Sequence, residues 1–323
     1  MRGSAVIAIG GENLIDTVQT ALPSGEITQK HNLGGSPYNV SVALARQGVT
    51  PHYLTPISTD GFGEQLAGHL QRQGVVLTGG RRPNPTTQAI VTLENGIPNY
   101  AFRRNDTAER AVSVADIDAT MPDGVTHFHA GSLAFAGSDD ANAWEEAFHK
   151  AHQNGVSTSL DPNVRPSLVD DMPAYRARFA RLLRSATIVK LSDEDLTAIY
   201  PDRSHSDGIA ALRGSTSARL VIFTKGPEGA ECWTRSHHVT VANPDVPNLI
   251  DTIGAGDTFT ATVLASLAKA GLLNDPALAQ LVTDQLRELL DRAVQAACLN
   301  CAKEGCSPPT SAAIEAVTQK GMI

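Results

Sequence analysis

The chain has 323 residues, 41% hydrophobic and 19% charged, a globular composition with enough apolar material for a core that needs no disulfide or metal staple. Its net charge of −8 argues against a nucleic-acid partner, because a phosphate backbone calls for a basic surface. Four cysteines, three of them crowded at Cys298, Cys301 and Cys306, do not make a secreted disulfide framework. A zinc reading of those three needs a fourth ligand and no His or Asp lies close by, while Cys298 and Cys301 are spaced to share one helix face as small packing residues.

The first apolar run, Val6–Ile9, is too short for a signal segment and leads straight into Gly10-Gly11. The apolar stretch from Thr258 to Leu273 contains Lys269 and is shorter than the ~20 residues that cross a bilayer. A cytoplasmic protein with no membrane partner is therefore expected. Further runs follow at Val125–His129, Ser157–Leu160, Ile188–Leu191 and Leu220–Phe223. They are continuous rather than alternating, as expected of parallel strands covered on both faces. Amphipathic segments separate them at Pro37–Gln47, Glu64–Gln73, Asp139–Asn154, Ala174–Arg184, Asp193–Tyr200 and Asp207–Arg213. This βα alternation predicts one α/β domain over residues 1–323, a Rossmann-like doubly wound sheet flanked by helices. The last third, Asp257–Ala270 and Ala277–Ala302, reads as mainly helical.

Two segments break the rhythm. Ile15–Leu33 and Thr86–Arg104 are strand-like, with turn residues at Pro23-Ser24-Gly25 and Glu94-Asn95-Gly96-Ile97-Pro98. They read as hairpins that cannot join a parallel sheet, and so as a small separate β-sheet lid over a cleft. Surface decoration is the alternative.

The most informative string is Asp251-Thr252-Ile253-Gly254-Ala255-Gly256-Asp257. Phe259, Val263 and Leu267 follow at four-residue spacing, which predicts a helix beginning close to Gly256. Free N–H groups and the positive end of the helix dipole then face whatever lies before it. The glycines leave room there for an oxyanion, although no G-x-x-x-x-G-K-S/T loop is present. Asp257 beside such a cradle is placed to take a proton from an attacking hydroxyl; an acidic residue at a helix start is also an ordinary stabilising choice.

This string resembles the C-terminal signature of the ribokinase-like (PfkB-type) carbohydrate kinases. Gly34-Gly35-Ser36-Pro37-Tyr38-Asn39 is similar to their N-terminal signature. Gly11-Glu12 to Asp16, Asp60-Gly61-Phe62-Gly63, Asp161-Pro162-Asn163-Val164-Arg165 and Thr224-Lys225-Gly226-Pro227-Glu228-Gly229 fit as well, so the resemblance spans nearly the whole chain. It implies ATP-dependent phosphorylation of a small sugar, with Mg²⁺ and, in many members, K⁺. Asp257 would be the general base, and the amides of Gly254, Ala255 and Gly256 the anion hole. Asp16, Gly34, Gly35 and Asn39 would hold sugar hydroxyls, although Asp16 alone reads equally as a lid-edge charge and Asn39 as a packing polar. Arg165 and one of Arg103 and Arg104, with Arg104 taken, would reach the substrate or the transferring phosphate. Thr224, Gly226 and Gly229 match the family's nucleotide loop, and Asn300 and Gly305 its adenine-side segment. Asp251 and Ile253, with Gly305, would surround a monovalent cation.

The family's N-x-x-E motif is replaced here by Lys190-Leu191-Ser192-Asp193-Glu194-Asp195. Lys190 and Ser192 would lie on the nucleotide side, and Glu194 or Asp195 would serve Mg²⁺. Finer texture at Gly11–Asp16, Tyr100–Arg110 and Asn300–Pro309 resembles bacterial fructokinases, with Arg103 departing from an expected aromatic. Fructose is the expected sugar, ribose or 2-keto-3-deoxygluconate the alternatives, and a homodimer through the lid the expected assembly. The rival from another class is a non-catalytic sugar or nucleotide sensor that kept the fold.

Overall fold

The computed structural model describes residues 5–21, 27–94, 97–137, 139–244 and 248–320. The chain opens with β1 (Ile7–Gly10), β2 (Leu14–Ala21), β3 (Ile27–Gly34), α1 (Ser36–Arg46), β4 (Pro51–Tyr53), β5 (Ile57–Ser58), α2 (Gly61–Gln73), β6 (Val76–Leu77), β7 (Arg81–Arg82), β8 (Thr87–Glu94) and β9 (Ile97–Arg103). Its middle holds α3 (Val114–Thr120), β10 (His127–Gly131), α4 (Asp139–Gln153), β11 (Ser157–Asp161), α5 (Met172–Leu182), β12 (Ile188–Ser192), α6 (Asp193–Ile199), α7 (His205–Ser215) and β13 (Leu220–Thr224). It closes with β14 (Ala230–Trp233), β15 (His238–Val241), α8 (Ala255–Lys269), α9 (Asp275–Leu278), α10 (Thr283–Cys301) and α11 (Ser311–Lys320).

The continuous apolar runs are the central strands of a nine-stranded sheet in the order β15-β14-β13-β12-β11-β10-β1-β4-β6. From β6 to β13 every pairing is parallel. The antiparallel β14 and β15, which the sequence pattern did not announce, extend one edge. Each face of the sheet has its own core. One packs Val40, Leu44, Leu66, Val263 and Leu290 beneath α1, α2, α8 and α10, and the other packs Trp144, Phe148, Phe179 and Leu212 beneath α4, α5 and α7. At about 1.5–3 kcal/mol for each large apolar side chain buried, these layers explain why strands without alternation are stable only between helices.

The two irregular segments form a second sheet in the order β3-β2-β8-β9. Each is an antiparallel hairpin, and the two meet through parallel pairing of β2 with β8. The turn residues 23–25 and 95–96 lie outside the described residues. Asp60 ties this sheet to the core: it caps α2 by accepting from the Gly63 N–H at 2.7 Å, and it accepts from the Thr86 N–H and hydroxyl at 2.8 and 2.6 Å. Among the described residues no helix is long and apolar enough to cross a membrane.

Candidate active site

The carboxyl ends of parallel strands point the same way, so the loops after β1, β10, β11 and β12 gather at one rim of the sheet. The N-termini of α1 and α8 meet there. Gly254 is the N-cap of α8, with φ at +74°. A side chain at this position would be strained, and its Cβ would lie 2.4 Å from the Cys306 sulfur. The helix therefore starts at Ala255, just before the predicted point. The Ala255 N–H already donates to the Thr252 carbonyl at 3.1 Å, which corrects its assignment to the anion hole. Among the described residues, the N–H groups of Gly254, Gly256 and Asp257 find no acceptor, and these are the donors open to an anion.

Asp257 is 7% exposed. It accepts from the Ser36 hydroxyl at 2.6 Å through Oδ1 and from the Asn39 amide at 2.8 Å through Oδ2. Burial pushes its proton affinity above the ordinary carboxylate range, the two hydrogen bonds and Lys190 pull it down, and Asp161 adds to the rise. A carboxylate that binds its proton more readily is a better acceptor for a hydroxyl proton.

Ser36 and Asn39 sit three residues apart on α1, on one face of its first turn. Their register is set by Glu12, which accepts from the Ser36 N–H at 2.8 Å and the Leu133 N–H at 3.2 Å. Complete burial raises Glu12 to about 7. Gly35, the N-cap of α1 at φ +109°, passes so close to this loop that an added Cβ would lie 2.6 Å from the Glu12 carbonyl oxygen. Asn13 and Tyr53 brace the same loop: the Asn13 amide donates to the Pro56 carbonyl at 3.1 Å and the Tyr53 hydroxyl to the Glu12 carbonyl at 3.0 Å.

The small sheet brings Asp16 to this rim. Asp16 lies opposite Asn32 on β3, and a Cβ at Gly34 would sit 2.7 Å from its Oδ2, so Gly34 keeps the carboxylate accessible. Burial raises Asp16 to about 6, while Arg165 on the core lowers it. The His31 and Phe62 rings meet edge to face at 5.0 Å, and Lys30 pairs with Glu304, so β3 touches the core on two sides. Arg165 itself is exposed, its guanidinium steadied by Asn163 Oδ1 at 2.7 Å.

Several predicted residues turn away from the cleft. The Arg104 fork is engaged by Glu109, Asp140 and the carbonyls of Leu133 and Ala136, a buried ion cluster that turns it away from the cleft. Asn300 is fully buried; its amide donates to the Ile253 carbonyl at 2.7 Å and its oxygen accepts from the Ser307 N–H at 2.8 Å, so it holds the loop before α8 instead of meeting a nucleotide. Asp195 is 3% exposed, forms a capping box with Ser192 and accepts from the Val164 N–H at 2.6 Å, so it is placed to hold the cap and the loop after β11. Ser192 is thereby the N-cap of α6. Glu194, one residue earlier, is exposed and uncommitted. Lys190 is 6% exposed and donates to Asp161 at 3.0 Å, so its ammonium is committed to a buried ion pair.

Asp251 organises the loop, accepting from the N–H groups of Ile253 at 3.0 Å and Gly305 at 2.8 Å. Thr224 ends β13 at the rim, and Gly226 and Gly229 shape the turn into β14, where the Asn243 amide donates to the Gly226 carbonyl at 2.8 Å. Sequence reasoning passed over Ser36, Glu12, Asp161 and Thr260 as site residues. Ser36 could have been found from its helical spacing to Asn39; for the others the partner lies far away in the chain. Among the described residues, no group of three or more His, Cys, Asp or Glu converges on a metal site.

Comparisons with known proteins fit this geometry. The family model described as pfkB family carbohydrate kinase matches residues 11–313. The chain is 36% identical over 278 residues to the fructokinase of Rhizobium leguminosarum bv. trifolii, covering 86% of this chain and 84% of that one. It is 29% identical to fructokinase-2 of Solanum lycopersicum, covering 98% and 96%. The crystal structure of fructokinase with bound ATP from Xylella fastidiosa superposes with a TM-score of 0.88 at 25% identity, over 98% of this chain and 99% of that one.

Proposed function

Because the chain belongs to the pfkB family of carbohydrate kinases, we propose that it transfers the γ-phosphoryl group of ATP to a hydroxyl of fructose. The observation that carries this reading is the buried Asp257 carboxylate set beside the free N–H groups that open α8. A base and an anion cradle within one helical turn are what an in-line attack of a hydroxyl on a phosphoryl group requires. Ser36 and Asn39 aim the carboxylate, which takes the hydroxyl proton as the oxygen attacks. The N–H groups of Gly254, Gly256 and Asp257 meet the charge on the phosphoryl oxygens. Asp16 and the backbone at Gly34 and Gly35 face the sugar hydroxyls, with Arg165 opposite.

The site suits a Mg²⁺ held largely by phosphate oxygens and water, since Glu194 is a single exposed carboxylate and the described residues build no cage of three or more metal-ligating side chains. Bound there, Mg²⁺ neutralises charge on the nucleotide phosphates. The lone pairs left on Asp251 and the Ile253 carbonyl are those a K⁺ ion would use. The small sheet acts as a lid: it carries Asp16 and excludes water that would otherwise hydrolyse ATP. The cytoplasm, where ATP is plentiful, is the compartment we propose for the reaction.

An ADP-release assay across fructose, ribose, 2-keto-3-deoxygluconate and glucose tests the assignment. Fructose is expected to give the largest kcat/KM. A larger value for another sugar moves the substrate, and no turnover with any sugar returns the sensor reading.

Asp16 supplies a second test. Sugar hydroxyls donate to its ionised form, so the KM for fructose should rise as pH falls through about 6, up to ~10-fold per pH unit below it. Asp16→Asn should raise KM and flatten this dependence; a profile unchanged in the variant would remove Asp16 from the sugar site. The sign for stability is opposite. The folded value is raised from the ordinary 3.8, so the folded state holds its proton longer, and Asp16 lowers stability as pH rises from about 4 to 6. The lid keeps a carboxylate it would fold better without, as expected of a binding group.

A further inference from the structure

Behind the first turn of α8 lies an ion pair that the mechanism above does not use. Lys190 on β12 and Asp161 at the end of β11 are both buried, and the ammonium donates to Asp161 Oδ2 at 3.0 Å. The same oxygen accepts from the Thr260 hydroxyl of α8 at 2.9 Å. The ammonium presses against the helix at Gly256, where an added Cβ would lie 3.2 Å from Nζ. Gly256 and Thr260 are one turn apart, so lysine and aspartate together grip the turn that carries Asp257. Lys190 is also within electrostatic reach of Asp257 and Asp195.

A lysine in such a place is a hazard to a base. The ammonium sits on a flexible stem against Gly256, the residue before the catalytic Asp257, in an interior where an ion pair is hard to break. A direct Lys190–Asp257 salt bridge would take the lone pairs that must receive the sugar proton. Asp161 competes for the same ammonium, and Thr260 fixes Asp161 to α8.

We propose that Asp161 is a positioning residue for the phosphoryl transfer: it holds the Lys190 ammonium beneath Gly256 and so keeps the Asp257 carboxylate free to accept the hydroxyl proton. The charges balance as well as the geometry. Asp257 is faced by Asp161 from β11, Lys190 from β12 and Cys306 from the loop after α10, with the neutral Ser36 and Asn39 from α1. His129 on β10 adjoins Lys190 and is held neutral, lowered to about 3 by burial and then by the lysine. Asp161 makes Asp257 harder to ionise and Lys190 makes it easier, so the two members of the pair act on the base in opposite directions.

This inference rests on the kinase reading, and the experiment separates the two. The kcat of the whole protein with ATP and fructose is followed across pH for the wild type, Asp161→Asn, and the double variant Asp161→Asn/Lys190→Met. In Asp161→Asn the unopposed lysine should lower kcat by ~10-fold or more and move the acid limb of the profile about one unit lower. Adding Lys190→Met should return the limb to its wild-type position and recover part of the lost kcat. That second step also removes the charge left stranded in the interior, so the double variant is the easier of the two to fold. A role for Asp161 confined to stability would leave the limb unmoved in both variants, and that result overturns the proposal. So does a limb shifted by Asp161→Asn that Lys190→Met fails to return. A wild type without turnover on any sugar overturns the kinase reading itself, and this inference with it.

Discussion

Asp257→Asn should lower kcat by ~10² or more while the KM values for ATP and sugar stay within about tenfold. The substitution is close to isosteric, and its neighbours can adjust. Asn39 donates to one oxygen and would continue to do so, while the Ser36 hydroxyl, now a donor, can rotate to accept from the new amide. Folding and ground-state binding are therefore spared. Only the ability to take a proton is lost, and that is called on in the transition state alone. The loss is kept to a few orders of magnitude because phosphoryl transfer depends more on positioning and charge neutralisation than on strong deprotonation. Steady-state kinetics of the purified variant decide the matter. A kcat near the wild-type value would make Asp257 a helix cap and return the alternative that the sequence left open.

Gly35→Ala should be almost as damaging, for a reason that has nothing to do with proton transfer. At φ +109° an alanine is strained, at about 1–3 kcal/mol, and the Glu12 carbonyl oxygen 2.6 Å from its Cβ belongs to a braced backbone that cannot retreat. The start of α1 must then shift. Ser36 and Asn39 move with it, and Asp257 loses both donors that aim it. A displacement of roughly 1 Å in a reacting group is enough to remove about two orders of magnitude of rate. We expect a lower melting temperature together with a kcat reduced by ~10² or more. The combination matters: a lower melting temperature with unchanged kcat would mean that α1 absorbs the strain without moving the base.

These two variants probe the same carboxylate from opposite ends of the chain, and they show how far the sequence could be read. The parallel sheet was legible because continuous apolar runs such as Ile7–Ile9 and Leu220–Phe223 are stable only when helices cover both faces. The start of α8 was legible because helical spacing after Gly256 and glycines before it are local properties of consecutive residues. The hairpins were legible as elements foreign to a parallel sheet, although the parallel join of β2 to β8 was not, since nothing local specifies which edges meet.

Tertiary structure alone decided which polar groups are spent and which remain free. Ser36 and Asn39 reach Asp257 across 221 and 218 residues, and Lys190 finds Asp161 across 29. Arg104 and Asn300 look like ligand-binding residues in a string of letters, yet one is spent on an ion cluster and the other on the loop before α8. The physical reason is common to all of them. A buried polar group must be satisfied, and the group that satisfies it is chosen by distance in space, to which residue identity and spacing along the chain give no access.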